Sequence, residues 1–327
     1  MKKFVTVTLF LLLLTGLIFA GGRGDTYPTK DIQFVAPANA GGGTDAISRK
    51  ICQLAEPHLG GKSFYVINRP GAADAVGPNV IMGAKPDGYT IGAITAGGVT
   101  SAVYQNLIPG YDLDKLEFIA MMTQENDAWL VGKNTPYRTF DDVIQAAKNN
   151  PGNIRMGGNE IGSRQDVNLR KVEQKFGIEF SKISYTSAAP QAEALLNGEV
   201  EVILNSLGDF SSIIKSGDGI PVVEFSGVRN PTFPTVPLSS EFGMGPEFIS
   251  GSFLAVIAPK GIPEDVKQTL FNAFKKAAES QEFLDWCKDI GMTPSFMDSE
   301  ETLKFVKTMQ NNIFAGMDDL KRQGILK

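Results

Sequence analysis

Apolar and polar positions follow two different periods along this chain. Short apolar runs closed by Gly or Pro alternate with stretches in which apolar residues recur every third or fourth position. Residues 32–37 read as a buried strand. Ile47, Ile51, Leu54 and Leu59 then fall on or near one face of a helix over 45–59, with Thr44 and Asp45 as N-cap candidates. A strand at 63–68, a short helix over 74–83 and a strand at 90–95 follow. In the turn between the last two, Pro86 fixes φ and Asp87-Gly88 supplies the bend. The rhythm resumes with strands at 129–132, 154–158, near 181–185, 199–206 and 221–227. Helices lie between them, one opening at Thr139 with Asp142 three residues on, one ending at Phe176, one over 191–198. A long apolar strand at 251–263 precedes three helices near 264–279, 281–290 and 299–323. Alternating strands and helices predict mostly parallel sheets with helices on both faces. Two such sets plus a helical end predict two α/β lobes, with the chain crossing between them more than once.

The amino terminus departs from this pattern. Lys2 and Lys3 precede an apolar run over 4–20 and then Ala-Gly-Gly. That order reads as a signal peptide over 1–22, removed near Gly21 or Gly22. An uncleaved anchor is the alternative, but the run is at the short end of the roughly 20 apolar residues a span needs. The expected location is therefore the periplasm. Elsewhere the 327 residues are 43% hydrophobic and 20% charged, which describes a globular chain with a core. A net charge of −5 argues against a nucleic-acid surface. Cys52 and Cys287 would be allowed a disulfide after export, but both sit in helical patterns that favour two buried thiols. His58 is the only histidine, at a helix end. There is no G-x-S-x-G, no triad and no Cys/His cluster, so catalytic residues, metal and cofactor are all expected to be none.

In open α/β sheets ligands bind beyond the carboxyl ends of strands. That places 38–45, 96–101, 158–166 and 186–190 on candidate binding loops. The first holds Gly41-Gly42-Gly43-Thr44-Asp45 directly between a strand and a helix. Gly41, Gly43 and Ala46 match G-x-G-x-x-A, but the acid expected at the end of the second strand is replaced by Asn68-Arg69. Arg69 would suit a 2′-phosphate, which leaves a periplasmic NADP-dependent oxidoreductase as the rival reading. In either case free N–H groups at a helix start favour an anion. Gly162-Ser163 repeats the glycine-before-helix pattern. Arg164 either pairs with a ligand carboxylate or is a solvated surface side chain. Residues 185–191 and Asn205-Ser206 add polar groups at strand ends, where a plain turn is the competing reading.

At this point the residues match a family. "YPTKDIQFVAP", "GGGTD", "INRPGA" and "AKPDGYT", with "LNGEVEVIL", "GVRNPTFPTVPLSSEFG" and "APKGIP" further on, resemble the substrate-binding proteins of tripartite tricarboxylate transporters, the Bug or TctC family. The resemblance covers nearly the whole chain after the leader. It implies an α/β, two-lobed periplasmic-binding-protein fold of the type II-like, Venus flytrap kind, with lobe 1 over 26–125 plus 238–327 and lobe 2 over 126–237. It implies capture of an organic acid without chemistry, and delivery to a membrane permease of one large and one small subunit. A monomer is expected. Carried over by position, the site comprises Ala40, Gly41, Gly42, Gly43, Thr44 and Asp45, then Ala96, Gly97 and Gly98, then Gly162, Ser163, Thr186, Ser187 and Ala188. Arg164, Asp166 and Asn205 are further candidates. The chain departs from the family where Asp166 stands for a usual histidine, where "SYTSAAP" replaces a "PYKG" stretch, and where Asn39-Ala40 replaces Pro-Gly. Asp166 would favour a ligand with a cationic group, such as an amino acid. A third reading makes the closed form the partner of a membrane sensor.

Overall fold

The structure, a computed structural model, describes residues 27–185 and 187–326. The expected signal peptide over 1–22 and Thr186 lie outside the described residues. Strand β1 (Ile32–Ala36) runs parallel to both its neighbours, β2 (Phe64–Asn68) and β3 (Thr90–Thr95). Helices α1 (Gly43–Ala55) and α2 (Val76–Met82) make the crossovers. Two short helical turns, α3 (Ala96–Val99) and α4 (Ser101–Tyr104), follow β3. Helix α1 begins at Gly43 with Gly42 as its N-cap, so Thr44 and Asp45 lie inside it rather than capping it.

The next strand, β4 (Leu116–Gly132), is the element the pattern hid, since only 129–132 was legible. Polar Gln124, Glu125, Asn126 and Asp127 interrupt the apolar run. A strand buried on both faces also shows no period-two alternation. Their polarity has a structural cause, because here β4 leaves one sheet and enters another. Residues from Leu116 to Asn126 pair antiparallel with β9 (Gly251–Pro259). From Asp127 onward β4 pairs with β7 (Val202–Ser206), and from Ala128 with β8 (Gly219–Glu224). Beyond β7 lie β5 (Arg155–Gly158) and β6 (Ser181–Ser184), parallel to one another. Helices α5 (Phe140–Asn149), α6 (Arg164–Phe176), α7 (Ala188–Asn197) and α8 (Ser211–Lys215) complete the second lobe, and the Thr139–Asp142 capping box opens α5 as expected. The chain ends with α9 (Glu264–Glu279), α10 (Gln281–Ile290), β10 (Thr293–Met297) and α11 (Ser299–Arg322). Strand β10 pairs with β4 and was not anticipated. The sheets are mixed rather than mostly parallel, because β4 and β9, which carry the chain between lobes, run against their neighbours.

Each sheet has a core on either face. Around the first, Phe34, Ile51, Leu270 and Phe274 fill one side, and Val35, Ile94, Phe253 and Val306 the other. Around the second, Trp129, Phe140, Val172 and Phe225 oppose Leu130, Leu195, Ile203 and Phe210. Met244 and Phe248 pack into the Trp129 core, so the return to the first sheet falls at Ser250–Gly251 rather than near residue 238. Cys52 and Cys287 are both buried free thiols, and His58 is exposed at the end of the 3-10 turn Glu56–His58. Among the described residues no helix is long and apolar enough to cross a membrane.

Trp129 is fully buried and its ring centroid lies 5.3 Å from Phe140, 5.4 Å from Phe180 and 5.8 Å from Phe225. Its indole N–H has no hydrogen-bond partner among the described residues. Trp129→Ala is expected to lower the unfolding free energy by about 3–5 kcal/mol in a urea titration. Trp129→Phe should cost less than half of that, since there is no indole hydrogen bond to lose.

Candidate functional site

The loops after β1 and after β5 are built alike. Gly41 and Gly162 both sit at φ 81°, a left-handed conformation that favours glycine. Four residues later Asp45 and Asp166 reach back, and each accepts the glycine N–H at 2.9 Å. Four residues further, Arg49 and Arg170 lie over those carboxylates, with Nε 3.0 Å from a carboxylate oxygen in each case. Asn68 also donates to Asp45, at 2.8 Å, and to the Ala38 carbonyl at 3.0 Å, which ties the end of β2 to the first loop. Burial pushes the Asp45 carboxyl up, but the bonds from Arg49, Gly41 and Asn68 outweigh it and hold it below its ordinary value. Asp45 and Asp166 are thus braces inside their own loops. Arg170 and the Gly162 N–H already occupy the Asp166 carboxylate, for which a cation-seeking role was expected.

The two helix starts differ in one respect. Ser163 caps α6 by accepting from the Asp166 N–H at 3.2 Å. Gly42, the N-cap of α1, has no side chain to accept anything. The N–H groups of Gly43, Thr44 and Asp45 have no acceptor within the helix. A Cβ built on Gly43 would meet nothing within 4 Å. Ala40, Gly41 and Gly43 are exposed, with Gly42 and Thr44 half-buried beside them. Ser187 is the N-cap of α7 and also makes no side-chain cap; it is exposed, and Ala188 behind it is half-buried.

The third first-lobe loop is packed more tightly than its sequence suggested. Ala72, Ala73 and Asp74 all have left-handed φ, at 49°, 49° and 66°. Each such residue costs roughly 1–2 kcal/mol, so surrounding contacts must hold the turn. Gly97 lies so close to it that a Cβ there would be 2.7 Å from the Ala73 carbonyl oxygen. Gly98 lies beneath the Asp74 carbonyl, and Ala96 is buried in the core. The glycines at 97 and 98 therefore make room for the turn. The Thr95 hydroxyl donates to the Asp74 carboxylate at 2.7 Å.

Arg164 is neither solvated nor free. Its Nε and Nη2 fork onto Asp127 at 3.2 and 3.0 Å, and Nη2 also reaches Ser206 Oγ at 3.3 Å. Asp127 is fully buried at the residue where β4 changes sheets, and it also accepts from Gln165 and Ser250. Asn205 is buried, with its amide between Gln165, Gln191 and Asn159, each 3.3 Å away. Sequence reasoning missed Asp74, Glu125, Asp127 and Asp209, which surround Arg164. Burial raises Asp74, and the Thr95 bond and Arg164 only partly offset it. Burial likewise raises Asp209, with Arg164 lowering it and Asp127 raising it. Glu125 is pushed up to about 7, by burial first and then by Asp209. The polar run at 124–127 inside an apolar strand was the one sequence signal for this cluster.

A family model described as the tripartite tricarboxylate transporter family receptor matches residues 47–315. The chain belongs to that family. Protein BugT of Bordetella pertussis is 27% identical, over 90% of this chain and 91% of the relative. The crystal structure of a TctC solute-binding protein from Polaromonas is 25% identical, with a TM-score of 0.80 over 90% of this chain and all of that one. An adipate-bound R. palustris protein, 23% identical, has a TM-score of 0.74 over 89% of this chain and 97% of that one. MatC from Rhodopseudomonas palustris, with bound malate, is 21% identical with a TM-score of 0.68, over 89% of this chain and 99% of that one. The family is one of solute-binding receptors, and nothing in these similarities points to the dinucleotide enzyme.

Glu125 makes stability depend on pH. Its carboxyl titrates at about 7 when folded instead of at its ordinary 4.5, so between these values the folded state binds more protons than the unfolded one. The stabilising contribution is complete below pH 4.5 and is lost as pH rises through 7. Glu125→Gln is expected to be more stable than the parent at pH 8, on the order of 2 kcal/mol, and equal to it near pH 4. Urea midpoints across that range measure the difference.

Proposed function

We propose that this receptor captures a small organic acid in the periplasm for a two-subunit tripartite tricarboxylate-type permease, as a monomer and without catalysis. The observation that carries this reading is the uncapped start of α1. Backbone N–H groups at Gly43–Asp45 open beyond the end of β1, with the positive end of the helix dipole behind them. A carboxylate fits there through backbone N–H groups, while Arg49 and Arg164 are already paired to aspartates. The Ser187 start of α7 and the Gly162–Ser163 loop supply the second lobe's share. The two lobes close about β4 and the Ser250–Gly251 crossing, which removes water from the carboxylate and strengthens its hydrogen bonds. Neighbouring structures bind adipate and malate, and BugD, 24% identical, is named a periplasmic binding protein, which supports the ligand class and the location.

The charge balance refines the ligand. Asp74, Glu125, Asp127 and Asp209 outnumber the guanidinium of Arg164. Beyond the anion-binding end the surroundings disfavour further negative charge, so a monocarboxylate or a zwitterionic acid suits them better than a tricarboxylate. The amino-acid option first attached to Asp166 thus shifts to these four residues.

A thermal-shift screen of mono-, di- and tricarboxylates and amino acids identifies the ligand, since a ligand that binds only the folded state raises the melting point. Gly43→Val should then weaken that ligand by about 10- to 100-fold in calorimetry, as hydrogen bonds to a charged group are lost. The open space around Gly43 leaves the fold intact. An unchanged affinity would place the carboxylate elsewhere.

A further inference from the structure

Helix α11 belongs to both lobes. Its first turns are fixed to the first sheet, where the Ser299 hydroxyl donates to the Phe118 carbonyl at 2.6 Å and the Met121 N–H donates to Thr302 Oγ1 at 3.1 Å. Val306 is buried in the first lobe's core, and Gln310 donates to the Val99 carbonyl at 2.7 Å. Its second half leaves that sheet and lies against α6 of the second lobe. There Val167, Ile313, Met317 and Leu320 form a separate buried cluster, with Tyr104 of the first lobe and Leu326 packed on it. Lys171 of α6 donates to the Asn312 carbonyl at 3.0 Å and the Glu247 carbonyl at 3.2 Å. The helices approach closely at Gly316, where a Cβ would be 2.3 Å from Val167 Cγ1. Valine is stiff at χ1, so relieving the overlap by rotating its side chain is disfavoured and a shift of one helix competes with it.

Helix α6 carries the Gly162–Arg164 loop at its amino-terminal end, and Val167 is one turn away from that loop. Leu326, just past α11, lies so near Gly162 that a Cβ there would be 2.9 Å from it. Away from this contact the second lobe docks on the end of α10, where Asn230 donates to the Gly291 carbonyl at 3.0 Å and Thr232 to the Lys288 carbonyl at 3.2 Å. The second lobe is therefore gripped at a pivot on α10 and at a stop on α11.

We infer that α11 is the stop that sets the angle between the lobes, with the bare backbone at Gly316 seating Val167 and so fixing how near the second-lobe loops stand to the first. The role as a closure stop rests on reading the space between the lobes as the ligand site. Its test needs no ligand, so failure of either idea leaves the other standing. A packed contact of this kind has discrete positions, which makes it suited to holding one lobe angle.

Spin labels at Asn79→Cys and Asn197→Cys, both exposed and one on each lobe, report the distance between lobes; Cys52 and Cys287 are buried and stay unlabelled. Gly316→Ala raises helix propensity, which offsets part of the overpacking, and a thermal melt confirms that each variant is folded. It is expected to shift the mean distance in the ligand-free protein, on the order of 2–4 Å. Val167→Ala removes the clashing methyl, leaving its Cβ 3.6 Å from the new one, so the double variant should return to the parent distance. An unchanged distance in Gly316→Ala, or the same shift in single and double variants, would overturn the inference.

Discussion

Asp127 is a fully buried carboxylate placed where the chain's longest strand changes partners, and much of the molecule is arranged to keep it there. An ion taken out of water in this way persists only with close, well-directed donors. Arg164 supplies the fork, with Gln165 and Ser250 beside it. These donors come from two parts of the chain. Arg164 and Gln165 open α6 behind the second-lobe loop, and Ser250 lies at the return crossing between lobes. Removing the arginine would strand a buried charge, a change that typically costs about 3–5 kcal/mol. The same interaction therefore joins the two crossings and aims the loop between β5 and α6. It also occupies the Arg164 guanidinium, so that charge is already matched inside the protein.

Next to this pair, Asn126 donates to Glu224 at 2.8 Å, and Glu224 is also fully buried, with its carboxyl raised chiefly by burial. Both residues at the sheet change thus face inward to polar partners instead of packing in a core. A strand that serves two sheets must twist from one to the other, and polar side chains that bond across the change fix its geometry where apolar packing on either side would leave it free. The cost is a concentration of acid between the lobes, which the raised Asp74, Glu125 and Asp209 express.

The twin loops show one device used twice. In both, a left-handed glycine offers its N–H to an aspartate four residues on, and an arginine four residues beyond neutralises that aspartate. The spacing works because residues four apart share a helix face. The loops diverge at the N-cap. Ser163 satisfies its helix end, while Gly42 leaves its own open.

The local pattern alone determined the parallel units β1–β3 and β5–β7, the helices between them, the buried thiols and the glycine turn at Gly41–Gly43 that starts α1. Each follows from short-range physics: periodicity, turn chemistry and the orphan N–H groups of a helix start. The flanking motifs made the family legible as well. Tertiary structure decided the rest. Strand β4 was obscured because its polar centre answers to partners far away in sequence, and Met244 and Phe248 fell to the second lobe because its core had room for them. Asp45, Asp166 and Arg164 looked like ligand-seeking charges, yet each is matched to a neighbour that the fold brings within hydrogen-bond range. Asp74 and Asp209 lie far along the chain from Glu125 and Asp127 of β4, and only folding makes the four one electrostatic environment. A residue's charge is written in the sequence, whereas whether that charge is free depends on distances that exist only after the sheets have packed.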